Sequence, residues 1–205
     1  VGDEVLFPQY DACLNLGGFA NISFKKGGKR IAFDICPVNI VLNHYVQKLG
    51  FDFDDKGEMA SKGKINKSLL KKMNELPFYK KQHPKSLGLE WVQEQVLPLI
   101  TSFDLSISTI LRTFIEHIAV QITSSLYGKT EVLVTGGGVF NSFLIERIRF
   151  LSSTEIIIPS KSLIDYKEAL IFAFLGVLRS ENQVNCLKSV TGASKDHSSG
   201  VIFYP

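Results

Sequence analysis

Ala12-Cys13-Leu14-Asn15-Leu16-Gly17-Gly18-Phe19-Ala20-Asn21-Ile22-Ser23-Phe24 is the stretch on which the fold turns. Two short apolar runs, 12–16 and 21–24, flank a glycine pair and read as strands. A third run, 30–34, follows Lys25-Lys26-Gly27-Gly28-Lys29. That linker is a hairpin signal, because glycine takes positive φ without strain. Three antiparallel strands are expected here.

Downstream, Pro37 is expected to open a helix carrying Ile40, Val41, His44, Tyr45 and Lys48, with Gly50 closing it. Residues 52–63 are polar and read as a loop or short helical turn. Helices are expected at 66–76 and 87–100, the second interrupted near Pro98, so a helical insertion occupies about 51–105. The strongest helix is 106–127, where Ile107, Ile110, Leu111, Phe114, Ile115 and Ile118 begin one apolar stripe and Gly128 supplies the stop. Then strand and helix alternate at 131–135, 141–151, 155–158 and 166–179, which implies a parallel pair with right-handed crossovers. The tail, 182–205, reads as irregular.

The expected class is α/β, a mixed sheet of three antiparallel and two parallel strands with flanking helices. This order resembles one half of the ribonuclease-H-like fold of actin, heat-shock chaperone ATPases and sugar kinases, which hold ATP between two such halves. The whole chain, 1–205, is expected to be one actin-like ATPase domain of that kind.

Composition narrows the partners. The chain has 205 residues, 45% hydrophobic and 21% charged, with a net charge of +3, so a well-filled core is expected and disorder is not. Eight lysines and one acid, Glu75, lie between Lys62 and Lys85. A phosphate-binding face would look like this, and so would the solvated side of a surface helix. With no aromatic stacking pattern beside the lysines, no nucleic-acid partner is expected. Cys13, Cys36 and Cys186 are odd in number and far apart, which fits a reducing, cytoplasmic setting and no zinc site. No apolar run is long enough to span a bilayer, so no membrane partner is expected. The N-terminus lacks a signal-peptide pattern and an initiator Met, so the chain is expected to begin inside a longer protein.

Three places carry candidate chemistry. Gly17 and Gly18, flanked by Asn15 and Asn21, either let the backbone approach a phosphate or form a plain hairpin turn. Gly136-Gly137-Gly138, between an apolar strand and a helix that starts near Asn141, suits a ligand at the carboxyl end of a parallel strand, with a tight turn as the alternative. Asp165 and Glu168 are spaced like a capping box, which alone would explain both carboxylates. His44, His83 and His117 look structural. His197 lies in the polar tail beside Asp196, Ser198 and Ser199. No triad or metal-ligand spacing is visible.

Read together, these motifs resemble the anhydro-N-acetylmuramic acid kinases. Leu14 to Ile22 is similar to that family's second phosphate motif. Phe33-Asp34-Ile35-Cys36-Pro37-Val38-Asn39 resembles its Asp-Thr-Gly-Pro-Gly-Asn segment, and Lys85-Ser86-Leu87-Gly88 its Pro-Lys-Ser-Thr-Gly. Gly136 to Asn141 resembles the adenosine motif, and Glu168-Ala169 with Phe172-Ala173 a Glu-Ala-x-x-Phe-Ala helix. Ser189 to Ala193 and the Tyr204-Pro205 end match the C-terminus.

The resemblance implies a kinase. ATP with Mg2+ would phosphorylate O6 of anhydro-N-acetylmuramic acid while water opens the 1,6-anhydro ring, giving N-acetylmuramic acid 6-phosphate in cell-wall recycling. It implies nucleotide binding by Gly17, Gly18, Gly136, Gly137, Gly138 and Asn141. It implies sugar contacts from Asn15, Asn21, Asp34 and Asn39, and a sugar-facing Glu168. No metal ligand is assigned to the chain. The family's N-terminal half, with its first phosphate loop and general base, has no counterpart here, so the isolated chain is expected to be inactive and that half to be a partner. A second copy of the chain is a further candidate partner. Ile35, Cys36 and Val38 stand where the family has Thr, Gly and Gly. The competing expectation is a catalytically inactive actin-like domain that binds nucleotide or a partner.

Overall fold

The computed structural model describes residues 1–203, so the Tyr204-Pro205 match lies outside the described residues. The five strands are β1 (Ala12–Leu16), β2 (Phe19–Lys26), β3 (Lys29–Pro37), β4 (Glu131–Thr135) and β5 (Glu155–Ile157). They form one sheet in the order β3-β2-β1-β4-β5. The first three are antiparallel neighbours, whereas β4 pairs with β1 and β5 with β4 in parallel. The β2–β3 hairpin closes on Gly27 and Gly28, both at positive φ (56° and 76°), the geometry a two-residue turn needs to match strand twist. Both strands therefore run longer than the apolar pattern suggested, up to the Lys26–Lys29 pair.

The helices follow in chain order. Short α1 (Gly2–Leu6) precedes the sheet and α2 (Asn39–Gln47) follows β3. The insertion holds α3 (Glu58–Ser61), α4 (Lys67–Asn74), α5 (Leu89–Trp91) and α6 (Leu97–Thr101). Then come α7 (Ile107–Leu126), α8 (Ser142–Leu151), α9 (Lys161–Ser180) and α10 (Lys188–Thr191).

One face of the sheet makes the main core. Leu14, Leu16, Ile22 and Val134 meet Leu111, Phe114, Ile115 and Ile118 of α7, and all are buried. The insertion shares this core through Leu69, Met73, Val96 and Ile100. A buried polar link also holds it: His117 Nδ1 lies 2.6 Å from Asn74 Oδ1, and Nε2 lies 2.9 Å from the Tyr79 hydroxyl. Burial pushes the His117 imidazole down to about 3, so it is a neutral core residue. On α7, Glu116 takes Arg112 at 2.9 Å and Arg147 of α8 at 2.9 Å, tying the two helices together.

The other face is thinly covered. Phe7, Cys13 and Leu133 form a small cluster with Leu6 and Leu163. Over it lie α1 and the long α9, of whose 20 residues only Lys167 is buried. Tyr166 and Phe172 are 68% and 71% exposed, an unusual display for an apolar helix.

Several boundaries differ from the expected ones for local reasons. Pro37 ends β3 opposite Phe19 instead of opening a helix, because the next amide, Val38 N–H, donates to Gly18 O at 2.8 Å and holds the chain extended. In the 87–100 segment, Val92–Val96 forms a π-helical turn before Pro98, and a wide turn relieves the carbonyl that proline cannot bond. The tail is less irregular than its composition suggested. Asp196 Oδ1 accepts Lys188 N–H at 2.7 Å at the start of α10, and Cys186 bridges His197. That places Asp196 and His197 in the tail's own structure. The largest shift is in α9, which begins at Lys161, capped by Ser160.

Candidate active site

Strand alternation builds the site floor. Leu14 and Leu16 of β1, Ala20 and Ile22 of β2, and Val132 and Val134 of β4 all point into the main core. Asn15, Asn21 and Thr135 therefore point to the opposite face. The register sets them side by side: Asn21 opposite Asn15, and Asn15 beside Thr135. This polar row lies at the carboxyl ends of the parallel pair β1 and β4, where open α/β sheets hold ligands. It floors a cleft of about 480 Å³ walled by Gly17, Gly136, Gly137, Lys167 and Glu168.

The glycines divide by role. Gly136 has φ of 87°, and a Cβ there would sit 2.6 Å from Asn15 Oδ1 and 2.7 Å from Leu16 O. At Gly138 it would sit 2.8 Å from the Leu16 Cβ, and Gly138 is buried. Those two glycines let the β4 loop lie against the end of β1. Gly137 meets nothing within 4 Å, so its backbone is bare to the cleft. Gly17 lines the same cleft. Gly18 does not, and its carbonyl instead accepts Val38 N–H and Ile40 N–H at 2.8 and 3.3 Å.

A second hollow, about 570 Å³, adjoins the first and shares Gly137 and Phe140 with it. Its other walls include Asn39, Phe53, Asn141 and Lys161. Phe53 and Phe140 are 61% and 48% exposed, giving it the apolar walls a flat heterocycle needs. Asn141 also caps α8, its Oδ1 accepting Leu144 N–H at 3.0 Å. Asp34 lies apart from both. Its carboxylate accepts Leu87 N–H at 2.8 Å and its own N–H donates to Lys85 O at 3.2 Å, so it staples the 85–87 segment to β3. With Asn21 it lines a third hollow, of about 470 Å³. Ile35, Cys36 and Val38 are buried in the main core, so their bulk is spent in packing and does not enter the cleft at Asn15.

Glu168 sits two turns inside α9 on its cleft side, exposed, with Lys167 beside it. The capping-box reading of Asp165 and Glu168 is overturned, because Ser160 caps the helix and Asp165 pairs with Lys161 one turn back. The missed residues lie beneath. Lys167 Nζ is 2.9 Å from Asp3 Oδ1. Ser23 Oγ donates to Asp3 Oδ2 at 2.5 Å, and Arg30 Nη2 donates to Ser23 Oγ at 2.7 Å. Burial pushes the Asp3 carboxyl up, but Lys167, the Ser23 hydroxyl and Arg30 together outweigh it and hold it below the usual carboxylate range. The Cys13 thiol is pushed up to about 11, mainly by burial, so it stays protonated. A lysine between Ile164 and Ile171 on one helical face was the available signal for this network.

The cleft's carboxylates are mostly paired. Asp3, Asp165 and Glu168 line it with Lys167, but Asp3 is paired with Lys167 and Asp165 with Lys161, which leaves Glu168 as the carboxylate without an ionic partner among the described residues. Among the described residues no group of three His, Cys, Asp or Glu side chains converges on a metal position. Among the described residues six buried side-chain atoms lack a hydrogen-bond partner, and Thr135 Oγ1 is the one on the cleft floor, at a cost of about 1–3 kcal/mol.

Known proteins resemble this chain in sequence and in fold. The family model described as anhydro-N-acetylmuramic acid kinase matches residues 5–205. A relative named anhydro-N-acetylmuramic acid kinase from Vibrio parahaemolyticus is 30% identical over 205 residues, covering 93% of this chain and 54% of the relative. One of the same name from Pseudomonas syringae pv. tomato is 33% identical over 217 residues, covering 98% and 59%. The chain thus spans about half the length of the curated relatives it matches.

Among solved structures, the activator of 2-hydroxyisocaproyl-CoA dehydratase from Clostridium difficile, with bound ADPNP, superposes with a TM-score of 0.51 at 16% identity, covering 90% of this chain and 67% of that one. The Acidaminococcus fermentans (R)-2-hydroxyglutaryl-CoA dehydratase component A gives 0.50 at 15%, covering 82% and 62%. At such identities the likeness is one of fold, the ribonuclease-H-like, actin-like architecture. Sheet order, glycine loops and a family match over nearly the whole length converge: the chain belongs to the anhydro-N-acetylmuramic acid kinase family.

Proposed function

We propose that this chain is the C-terminal half of an anhydro-N-acetylmuramic acid kinase, working in the cytoplasm with a second half that closes its cleft. The observation that carries this is the cleft itself. Asn15, Gly17, Asn21, Gly137 and Glu168 meet at the carboxyl ends of β1 and β4, with an apolar hollow adjoining at Gly137.

In this reading the adenosine occupies the Phe53–Phe140 hollow, and its phosphates run past Gly137 toward Gly17. The sugar lies over Asn15 and Asn21 with Glu168 facing it. O6 of the anhydro sugar takes the γ-phosphoryl group of ATP, releasing ADP. Water adds at C1 as the C1–O6 bond breaks, its proton passing to a base that the second half supplies. Asn15 and Asn21 orient the sugar, and the bare Gly137 backbone admits the phosphate chain. Glu168, the cleft carboxylate without an ionic partner, would repel free polyphosphate, so an accompanying cation is expected. Mg2+ fits that need as an ion carried on the nucleotide's phosphates and waters rather than in a protein cage, and when bound it neutralises charge on the transferring phosphoryl group.

The exposed face of α9 suits the second half, since it lies on the helix that carries Glu168 and the relatives have a comparable length outside the match. The test combines this chain with the remaining half of the Pseudomonas relative and follows ADP release with anhydro-N-acetylmuramic acid. Turnover by the mixture and none by the chain alone is the expected result. Nucleotide binding without turnover in any combination would favour the inactive binding module instead.

A further inference from the structure

We propose that Thr135 is a further ligand-binding residue of the cleft, its hydroxyl donating a hydrogen bond to an anionic oxygen of the nucleotide's phosphate chain. The inference rests on the ATP reading above and adds a residue to it.

Three observations converge here. Thr135 is fully buried, yet Oγ1 has no protein partner. Natural structures pair nearly all such groups, so an orphan marks a place where something else supplies the bond. Valine would fill the same volume in a strand with the same β-branched preference and leave nothing unpaired. Val132 and Val134 occupy the neighbouring positions of β4 in that way. A hydroxyl at 135 therefore serves something other than packing.

Position says what. Thr135 ends the row Asn21–Asn15–Thr135 on the cleft floor. The next residue, Gly136, turns at φ 87° and delivers the chain to the bare backbone of Gly137. A phosphate lying between Gly17 and Gly137 passes over this end of the row, whereas a sugar over Asn15 and Asn21 lies toward the other end. Because the Asp3 and Asp165 carboxylates are already paired with lysines, a neutral donor on the floor is well placed to meet an anionic oxygen.

The test titrates the 205-residue chain and its Thr135→Val and Thr135→Ser variants with ADP, ATP and anhydro-N-acetylmuramic acid by calorimetry, and melts all three proteins without ligand. The expected result is about tenfold or more weaker nucleotide binding for Thr135→Val. Thr135→Ser should bind nearly as the parent does, sugar affinity should not change, and Thr135→Val should melt no lower than the parent. Parental nucleotide affinity in Thr135→Val overturns the assignment while leaving the ATP reading intact. So does a marked fall in its melting temperature, which would mean the hydroxyl is bonded within the protein, or a loss confined to the sugar. A parent chain that takes up no nucleotide, alone or mixed with the second half, overturns the ATP reading and this inference together.

Discussion

The ammonium of Lys167 lies 2.9 Å from a carboxylate oxygen of Asp3, joining α9 to α1 directly under the cleft. Lys167 is nearly enclosed while Asp3 keeps a quarter of its side chain in contact with water. Lys167→Met should therefore destabilise the chain by about 2–3 kcal/mol, somewhat below the cost of breaking a fully buried pair. Asp3→Asn combined with Lys167→Met should cost less than the two single changes added together. Urea denaturation of the four proteins measures this, and strict additivity would show that the two groups do not interact.

The glycine loop after β4 allows a sharper comparison. Gly136→Ala forces a Cβ toward Asn15 and Leu16 at a left-handed φ, so a loss of about 2–4 kcal/mol is expected. Gly137→Ala meets nothing and should change the melting temperature little, yet weaken nucleotide binding by narrowing the bare backbone. Thermal melts and nucleotide titration of the two variants separate the roles.

Glu168 makes no cap that a substitution could remove. Glu168→Gln should leave the melting temperature unchanged and lower kcat of the two-half enzyme by about a hundred- to ten-thousand-fold if its charge serves the reaction. Unchanged kcat would remove it from the chemistry.

Acid should loosen the insertion first. The His117 imidazole is held down to about 3 by burial, so the unfolded chain binds a proton there that the folded chain refuses. Stability from this group is full above the ordinary histidine value and falls as pH drops from about 6.5 toward 3. Asp3, held below the usual carboxylate range, contributes stability above that range which is lost as pH falls through its lowered value. His117→Gln should flatten the first part of the stability–pH curve and leave the second, as denaturation midpoints from pH 7 down to about pH 2 would show.

The sheet was legible because its signals are local. Gly27-Gly28 dictates a hairpin, and Val132 to Val134 runs straight into glycine. The stripe on α7 was equally plain. The start of α9 was not. Asp165 and Glu168 have the spacing of a cap, while the true cap, Ser160, precedes the unremarkable Lys161-Ser162. Of the site, the glycines and asparagines could be named from motif, but their division could not. Whether Gly136 or Gly137 is spared a neighbour depends on where Leu16 ends, a fact of tertiary packing. The Asp3–Lys167–Ser23–Arg30 network showed in the sequence only as Lys167 on the Ile164–Ile171 face, because its other members come from α1 and the β2–β3 hairpin.

The bareness of α9 has a bearing on how such a protein is handled while it is being made. A helix that shows Tyr166, Leu170, Phe172 and Val177 to water is the surface that holdases and proteases recognise as unfinished. Left uncovered, that face marks the chain as unfinished along the very helix that bears Glu168. Whatever covers that face would therefore also shield the chain from clearance.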